Sequence, residues 1–342
     1  MGVVLIKMLA LGALLLGIFC LSVVAGTVPI AWTSLFDIFL HAVGIIEETT
    51  VPSGEAYIIN YLRLPRSIFG VLVGSSMAIA GALMQGLFRN PLADPGLIGV
   101  SSGAALGAAV VIVLGFSLPL APALTLPIFA FCGGVIATVI VMRLSMINGR
   151  TNIGNMLLAG IAINAIAGSG TGLLVYVAND EQLRSLTFWT MGSLGSANWD
   201  NLPFLATLAF VPAVIGLSLG KTLNAFLLGE NEALMLGVPV EKIKYLVIVI
   251  VCLIIGTCVS LTGMIGFIGL VVPHLCRMIF GPDNQKVLLG SLLLGASLLV
   301  GADLISRTIV SPAELPIGIV TSLVGGPFFL WLLFQKKFLG DL

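Results

Sequence analysis

Ten apolar runs, each near the length of a bilayer-spanning helix, make up most of this chain and limit what it can fold into. They fall near 4–26, 64–86, 96–115, 120–143, 153–178, 201–220, 243–263, 264–280, 287–307 and 315–335. A helix rises about 1.5 Å per residue, so about 20 apolar residues cross the hydrocarbon core. The 264–280 run is short for that task. A water-soluble fold is excluded, because 58% of residues are hydrophobic and only 9% are charged, where soluble domains carry roughly a quarter. The expectation is an all-α integral membrane protein of about ten transmembrane helices. It forms one domain over 1–342, with no soluble domain attached. The first run is expected to stay in place rather than be cleaved, since Lys7 is a poor basic region and no A-x-A site follows.

Lysine and arginine orient the bundle. Ten crossings put both termini on one side. If that side is the cytoplasm, Lys7, Arg89, Arg143, Arg150, Lys221, Lys242, Lys244, Arg277, Lys286, Lys336 and Lys337 lie inside. Arg63, Arg66, Arg184 and Arg307 lie outside, the asymmetry that the positive-inside rule describes. Asp37, Glu47, Glu48, Glu55, Asp180, Glu181 and Asp200 then face the exterior. On this reading the polar stretch RNPLADPG, Arg89–Gly96, is a cytoplasmic hairpin between the second and third runs. Pro91 and Pro95 remove two backbone donors and stiffen it, and Asp94 is placed to cap the third helix. Gly99, Gly103 and Gly107 repeat at four-residue spacing, a stripe that lets a neighbouring helix approach closely.

Several chemistries find no support. The stretch GLSLGKT, Gly216–Thr222, has three residues between its glycine and the glycine before lysine, where a phosphate-binding loop needs four, and no strand precedes it. A net charge of zero gives no electrostatic reason for a nucleic-acid partner. The five cysteines lie in or beside apolar runs without a CxxC and read as small hydrophobes, so no metal site is assigned. His274, an intramembrane histidine, has the chemistry of a proton relay or ligand, but a hydrogen-bonded structural side chain is the favoured reading. Few acids sit within helices, so a proton- or sodium-driven secondary transporter is the weaker class. No catalytic residue is assigned.

Read together, RLPR (Arg63–Arg66), GALMQGLFRNPLADPGLIGVSSGAALG (Gly81–Gly107), LLAGIAIN (Leu157–Asn164), LGENEALMLGV (Leu228–Val238), GMIGFIGLVVPHLCR (Gly263–Arg277) and ELPIGIVTSLVGGPFFLWLL (Glu314–Leu333) resemble one family. It is the FecCD-type permease subunit of ABC importers for iron-siderophores, haem and vitamin B12. QLRSLTFWTMGSLGSANW (Gln182–Trp199) looks most like the hemin importers. The resemblance implies a type II ABC importer permease fold, a second permease copy in a homodimer, two separate ATPase subunits that supply ATP hydrolysis, and a periplasmic binding protein. The location implied is the bacterial inner membrane. Haem is the implied cargo, with ferric siderophore or cobalamin as alternatives.

The resemblance also assigns roles. Arg63, Arg66 and Arg307 meet carboxylates of the binding protein. Within the cytoplasmic loop 228–244, Glu230, Ala233, Leu236 and Gly237 belong to the element that seats in the ATPase. Asn90 and Leu92 form a cytoplasmic gate closed against Ile153 and Gly154. Asn164, Gly160 and Gly168 line the pathway, although Asn164 is equally placed for interhelical hydrogen bonding.

Overall fold

The computed structural model describes residues 2–46 and 51–340, so Glu47 and Glu48 lie outside the described residues. Helix α1 (Gly2–Val24) leads to α2 (Trp32–Ala42). α3 (Ser53–Tyr57) runs through a π turn at Ile58–Arg63 into α4 (Leu64–Phe88), giving one 36-residue rod, Ser53–Phe88. Next come α5 (Val100–Leu114) and α6 (Thr125–Leu144). A short antiparallel hairpin, β1 (Met146–Ile147) with β2 (Arg150–Thr151), precedes α7 (Ile153–Val177) and α8 (Asp180–Met191). α9 (Asn201–Leu205) and α10 (Val211–Leu217) form one rod, from which α11 (Gly220–Phe226) bends away by 61°. α12 (Glu230–Met235), α13 (Val240–Thr262), α14 (Ile268–Phe280), α15 (Asn284–Thr308) and α16 (Ile317–Gly340) complete the chain.

Each of the ten apolar runs is met by helix. Among the described residues, six helices are long and apolar enough to span, seven if the bent pair is counted as one span, and Val100–Leu114, Ile268–Phe280 and Ile317–Leu332 are shorter. α4 is the central post. Every residue from Val73 to Phe88 is buried. It packs on α13, α14 and α15. With no hydrophobic driving force in lipid, such contacts depend on close approach of backbones. At Gly81 a side chain would collide with the Gly269 carbonyl of α14. The expected stripe behaves the same way: side chains at Gly103 and Gly107 would strike the carbonyls of Gly133 and Phe129 on α6. Gly99 instead stands just before α5, in the left-handed region at φ +83°.

The polar hairpin differs from its expected form. Arg89 turns the chain with φ +51°, and Asn90 Oδ1 accepts the Leu92 amide at 2.9 Å. The chain then re-enters the bundle. Asp94 and Pro95 line a cavity with Met77, at the middle of α4. Met77 lies eleven residues before Phe88, a depth of about 16 Å along the helix. Asp94 therefore caps a buried 3₁₀ turn, Pro95–Ile98, accepting the Gly96 amide at 2.7 Å, and not α5 itself. This explains the shortness of α5: its 15 residues cover about 22 Å of a roughly 30 Å core, and the re-entrant turn supplies the rest.

α14 is likewise a half-length helix. The chain unwinds at Gly263–Phe267, and Phe267 takes φ +70° before α14 starts. The 264–280 run is thus a loop plus a 13-residue helix. α2 is an addition that no apolar run announced. Its exposed Trp32, Phe36 and Phe39 share one helical face, the form of a helix lying in the membrane interface.

Candidate functional site

At one end of the bundle, three arginines and two acids form a single cluster. Arg66 leaves the first turn of α4 and presents both edges of its guanidinium. Nε and Nη2 donate to Asp303 of α15 at 3.0 and 2.8 Å. Nη1 and Nη2 donate to the two carboxylate oxygens of Glu314, each at 2.9 Å. This is the planar fork that suits arginine and not lysine. Arg307, one turn after Asp303 on α15, places Nε 3.4 Å from Asp303 and donates to the Ser22 carbonyl of α1. Arg63 donates to the carbonyls of Val23, Val24 and Val28. Arg63 and Arg307 are each only 6% exposed. Arg63 and Arg307, expected with Arg66 at a docking face, also hold the end of α1 in place, because a buried guanidinium must find acceptors within the chain. Arg66 reaches the surface through Glu314, which is 45% exposed. All three arginines and Glu314 still line one open cavity, together with Gly26 and Leu62. Glu314 lies beyond the end of α15, and the Arg66 hydrogen bonds hold its carboxyl below the usual glutamate range.

Asp303 and Glu314 were not foreseen as site residues. The i, i+4 spacing of Asp303 and Arg307 was legible. The Arg66 pairing, across 237 residues of sequence, was not.

At the other end, α12 sits on α11 and α13. Ala233 is fully buried and anchors it, while Leu234, Met235 and Leu236 are 56%, 88% and 64% exposed. Gly237 ends the helix at φ +82°, a conformation that suits glycine. Glu230 pairs with Lys244 at 2.5 Å. Lys244 is itself only 3% exposed and also reaches Glu241 at 3.1 Å.

The expected gate residues lie on the hairpin and at the start of α7. Asn90 and Leu92 are exposed on the hairpin, and Ile153 is half-buried at the start of α7. A side chain at Gly154 would have, among the described residues, only Asn152 Oδ1 as a close neighbour, at 3.2 Å. Asn90 and Leu92 are therefore not closed against Gly154 within one chain.

The pathway residues divide three ways. Asn164 Oδ1 accepts from the Ser102 hydroxyl at 2.5 Å, and its Nδ2 donates to the Gly96 carbonyl at 3.3 Å. It thus bonds α7 to α5 and to the re-entrant turn. Gly160, expected on the pathway, is buried, and a side chain there would collide with the Leu97 carbonyl, so it makes a close packing contact with the re-entrant turn. Gly168 faces open space: among the described residues, no atom beyond its own stretch of helix lies within 4 Å of where a side chain would begin.

His274 packs edge-on against Phe328, with ring centroids 6.0 Å apart. All five cysteines are free thiols, three of them buried. The GLSLGKT stretch is a helical bend into α11 rather than a phosphate loop.

Residues 14–335 match the FecCD transport family. The hemin transport system permease protein HmuU of Yersinia pestis is 48% identical over 279 residues, covering 81% of this chain and 83% of that protein. The cobalamin import system permease protein BtuC of Halobacterium salinarum is 38% identical, over 84% of this chain and 76% of its own. The vitamin B12 import system permease protein BtuC of Vibrio vulnificus is 39% identical over 84% and 86%. Among solved structures, a metal-chelate type ABC transporter in an inward-facing conformation superposes with a TM-score of 0.82 at 31% identity, covering 96% of this chain and 99% of its own. Permeases of this kind carry no enzymatic activity of their own, and ATP hydrolysis belongs to a separate subunit. The bundle of re-entrant and spanning helices, the match over nearly all its length and the agreement in fold together place the chain in the FecCD family of ABC transporter permeases.

Proposed function

We propose that this chain is the permease of a bacterial inner-membrane hemin importer, working as a homodimer with both termini in the cytoplasm. The identity to a hemin permease, higher than to either cobalamin permease above, carries the choice of cargo. The exposed apolar face of α12 carries the choice of power source. Leu234, Met235 and Leu236 project from a helix held by a buried alanine and ringed by charge, the composition of a partner surface with an apolar centre and polar rim. An ATPase subunit is the occupant in this reading, seated on 228–244.

At the opposite end a periplasmic binding protein presents carboxylates to the Arg66 cavity, and opposed charges steer the encounter. Arg63 and Arg307 contribute field there while remaining bonded to their own carbonyls. Asn90, Leu92, Ile153 and Gly154 form the cytoplasmic gate in this reading. Gly168 lies on the pathway wall, and Asn164 fixes the helix that bears it.

The deciding experiment is ATP-dependent uptake into proteoliposomes holding permease, ATPase and binding protein, with labelled hemin and labelled cyanocobalamin in parallel. Hemin accumulation alone is expected. Cobalamin accumulation without hemin would overturn the cargo.

A further inference from the structure

The structure assigns Lys244 a positioning role: its buried ammonium ties α12 to the start of α7, so that the two move as one body. Three donors leave this nitrogen and all three are engaged. They reach Glu230 Oε2 on α12 at 2.5 Å, Glu241 Oε1 on α13 at 3.1 Å, and the Thr151 carbonyl of β2 at 2.9 Å. Glu241 completes the ring, its Oε2 accepting the Thr151 amide at 2.8 Å. The next residue, Asn152, donates its amide to the Ser145 carbonyl at 3.0 Å and closes the β1–β2 hairpin. Its side chain accepts the Asn155 amide at 3.0 Å and caps α7. Only Glu230, Lys244, Thr151 and Asn152 therefore separate the exposed apolar face of α12 from the first turn of α7.

Chemistry favours a stiff joint. An ammonium with 3% exposure is retained only where every donor is satisfied and charge is compensated. Without it, Glu230 and Glu241 would face each other as two uncompensated carboxylates and push α12 away from α13. α12 has six residues, too few to hold its own orientation, and otherwise rests on α11 and α13. The direct side-chain tie from α12 to the residue before the α7 cap runs through Lys244, and Glu241 supports it from α13.

The consequence for transport rests on the reading of α12 as the ATPase seat: displacement there would be delivered to the helix carrying Asn164 and Gly168. The joint itself is testable without any partner. Spin labels at Asn231→Cys and Leu158→Cys report the α12–α7 separation in permease held in nanodiscs. The background is Cys20→Ser and Cys132→Ser, and labelled chain is diluted with unlabelled chain. The wild-type distance distribution is expected to be narrow. Lys244→Met should broaden it at least twofold, and Lys244→Arg should restore it. If Lys244→Met does not fold, Glu230→Gln decides the matter, since it alters a half-buried partner and should broaden the distribution to a smaller degree. A distribution in either variant as narrow as wild type would overturn the joint. Leu236→Asp, followed by co-purification of the ATPase, tests the seat alone, so either reading can fail without the other.

Discussion

Arg66 and Asp303 join the neighbouring helices α4 and α15, with Nη2 2.8 Å from Oδ1, and the same guanidinium grips Glu314 on its outer edge. Asp303 is 3% exposed and Glu314 is 45% exposed, so one arginine serves a dry partner and a wet one. Removing Arg66 strands a buried carboxylate, which Arg307 compensates only in part from 3.4 Å. Arg66→Met should therefore cost about 3 kcal/mol of stability, whereas Glu314→Gln should cost less than about 1 kcal/mol. Thermal unfolding in detergent measures both, and equal losses would contradict the division.

The Glu314 contact has a defined pH window. Its folded pKa is lowered, chiefly by the hydrogen bonds from Arg66. A depressed carboxyl contributes stability that is complete above its unfolded value, about 4.3, and that fades as pH falls through the lower folded value. The infrared carboxylate band that disappears in Glu314→Gln should thus protonate with a midpoint below about 4.3. A midpoint above that value would show that the fork is not formed in the membrane.

Two glycines of α7 should answer substitution in opposite ways. Gly160→Ala drives a methyl into the Leu97 carbonyl, which belongs to the backbone and cannot rotate aside. It should destabilise by about 1–3 kcal/mol through overpacking. Gly168→Ala meets open space and should be neutral or mildly stabilising through helix propensity. Expression level and melting temperature of the two variants give the comparison, and a tolerated Gly160→Ala would sink the close approach.

Asp94 should behave as a cap rather than as a charge. Asn in its place keeps an oxygen for the Gly96 amide, while Ala removes it. Asp94→Ala is expected to lose about 1 kcal/mol and Asp94→Asn much less, measured as the shift in thermal midpoint. Equal losses would point to the carboxylate charge instead.

Much of the architecture was legible because lipid imposes a simple rule. Backbone groups in hydrocarbon must pair within the protein, so each apolar run was bound to carry helix, and each does, although 96–115 and 264–280 give half-length helices completed by a turn or a loop. Loop 228–244 was legible for the same reason in reverse: Leu234, Met235 and Leu236 in a polar loop imply a cover. Depth was not legible. Nothing in RNPLADPG says that Asp94 climbs back to the level of Met77, because that depends on which neighbour offers the gap, and the gap is made by Gly269 and the unwound Gly263–Phe267 segment.

Charge counting placed Arg63, Arg66 and Arg307 at one end of the bundle but was silent on their partners. A positive charge near a helix end satisfies the orientation rule whether it faces water or a carbonyl, so the sequence alone determined where the ten apolar runs carry helix and which end bears the arginines. Whether Arg63 points into solvent or at Val23, and whether Lys244 floats or binds Thr151, was decided only when distant segments came within hydrogen-bonding reach. Those choices depend on distances between elements, which no local pattern of residues encodes.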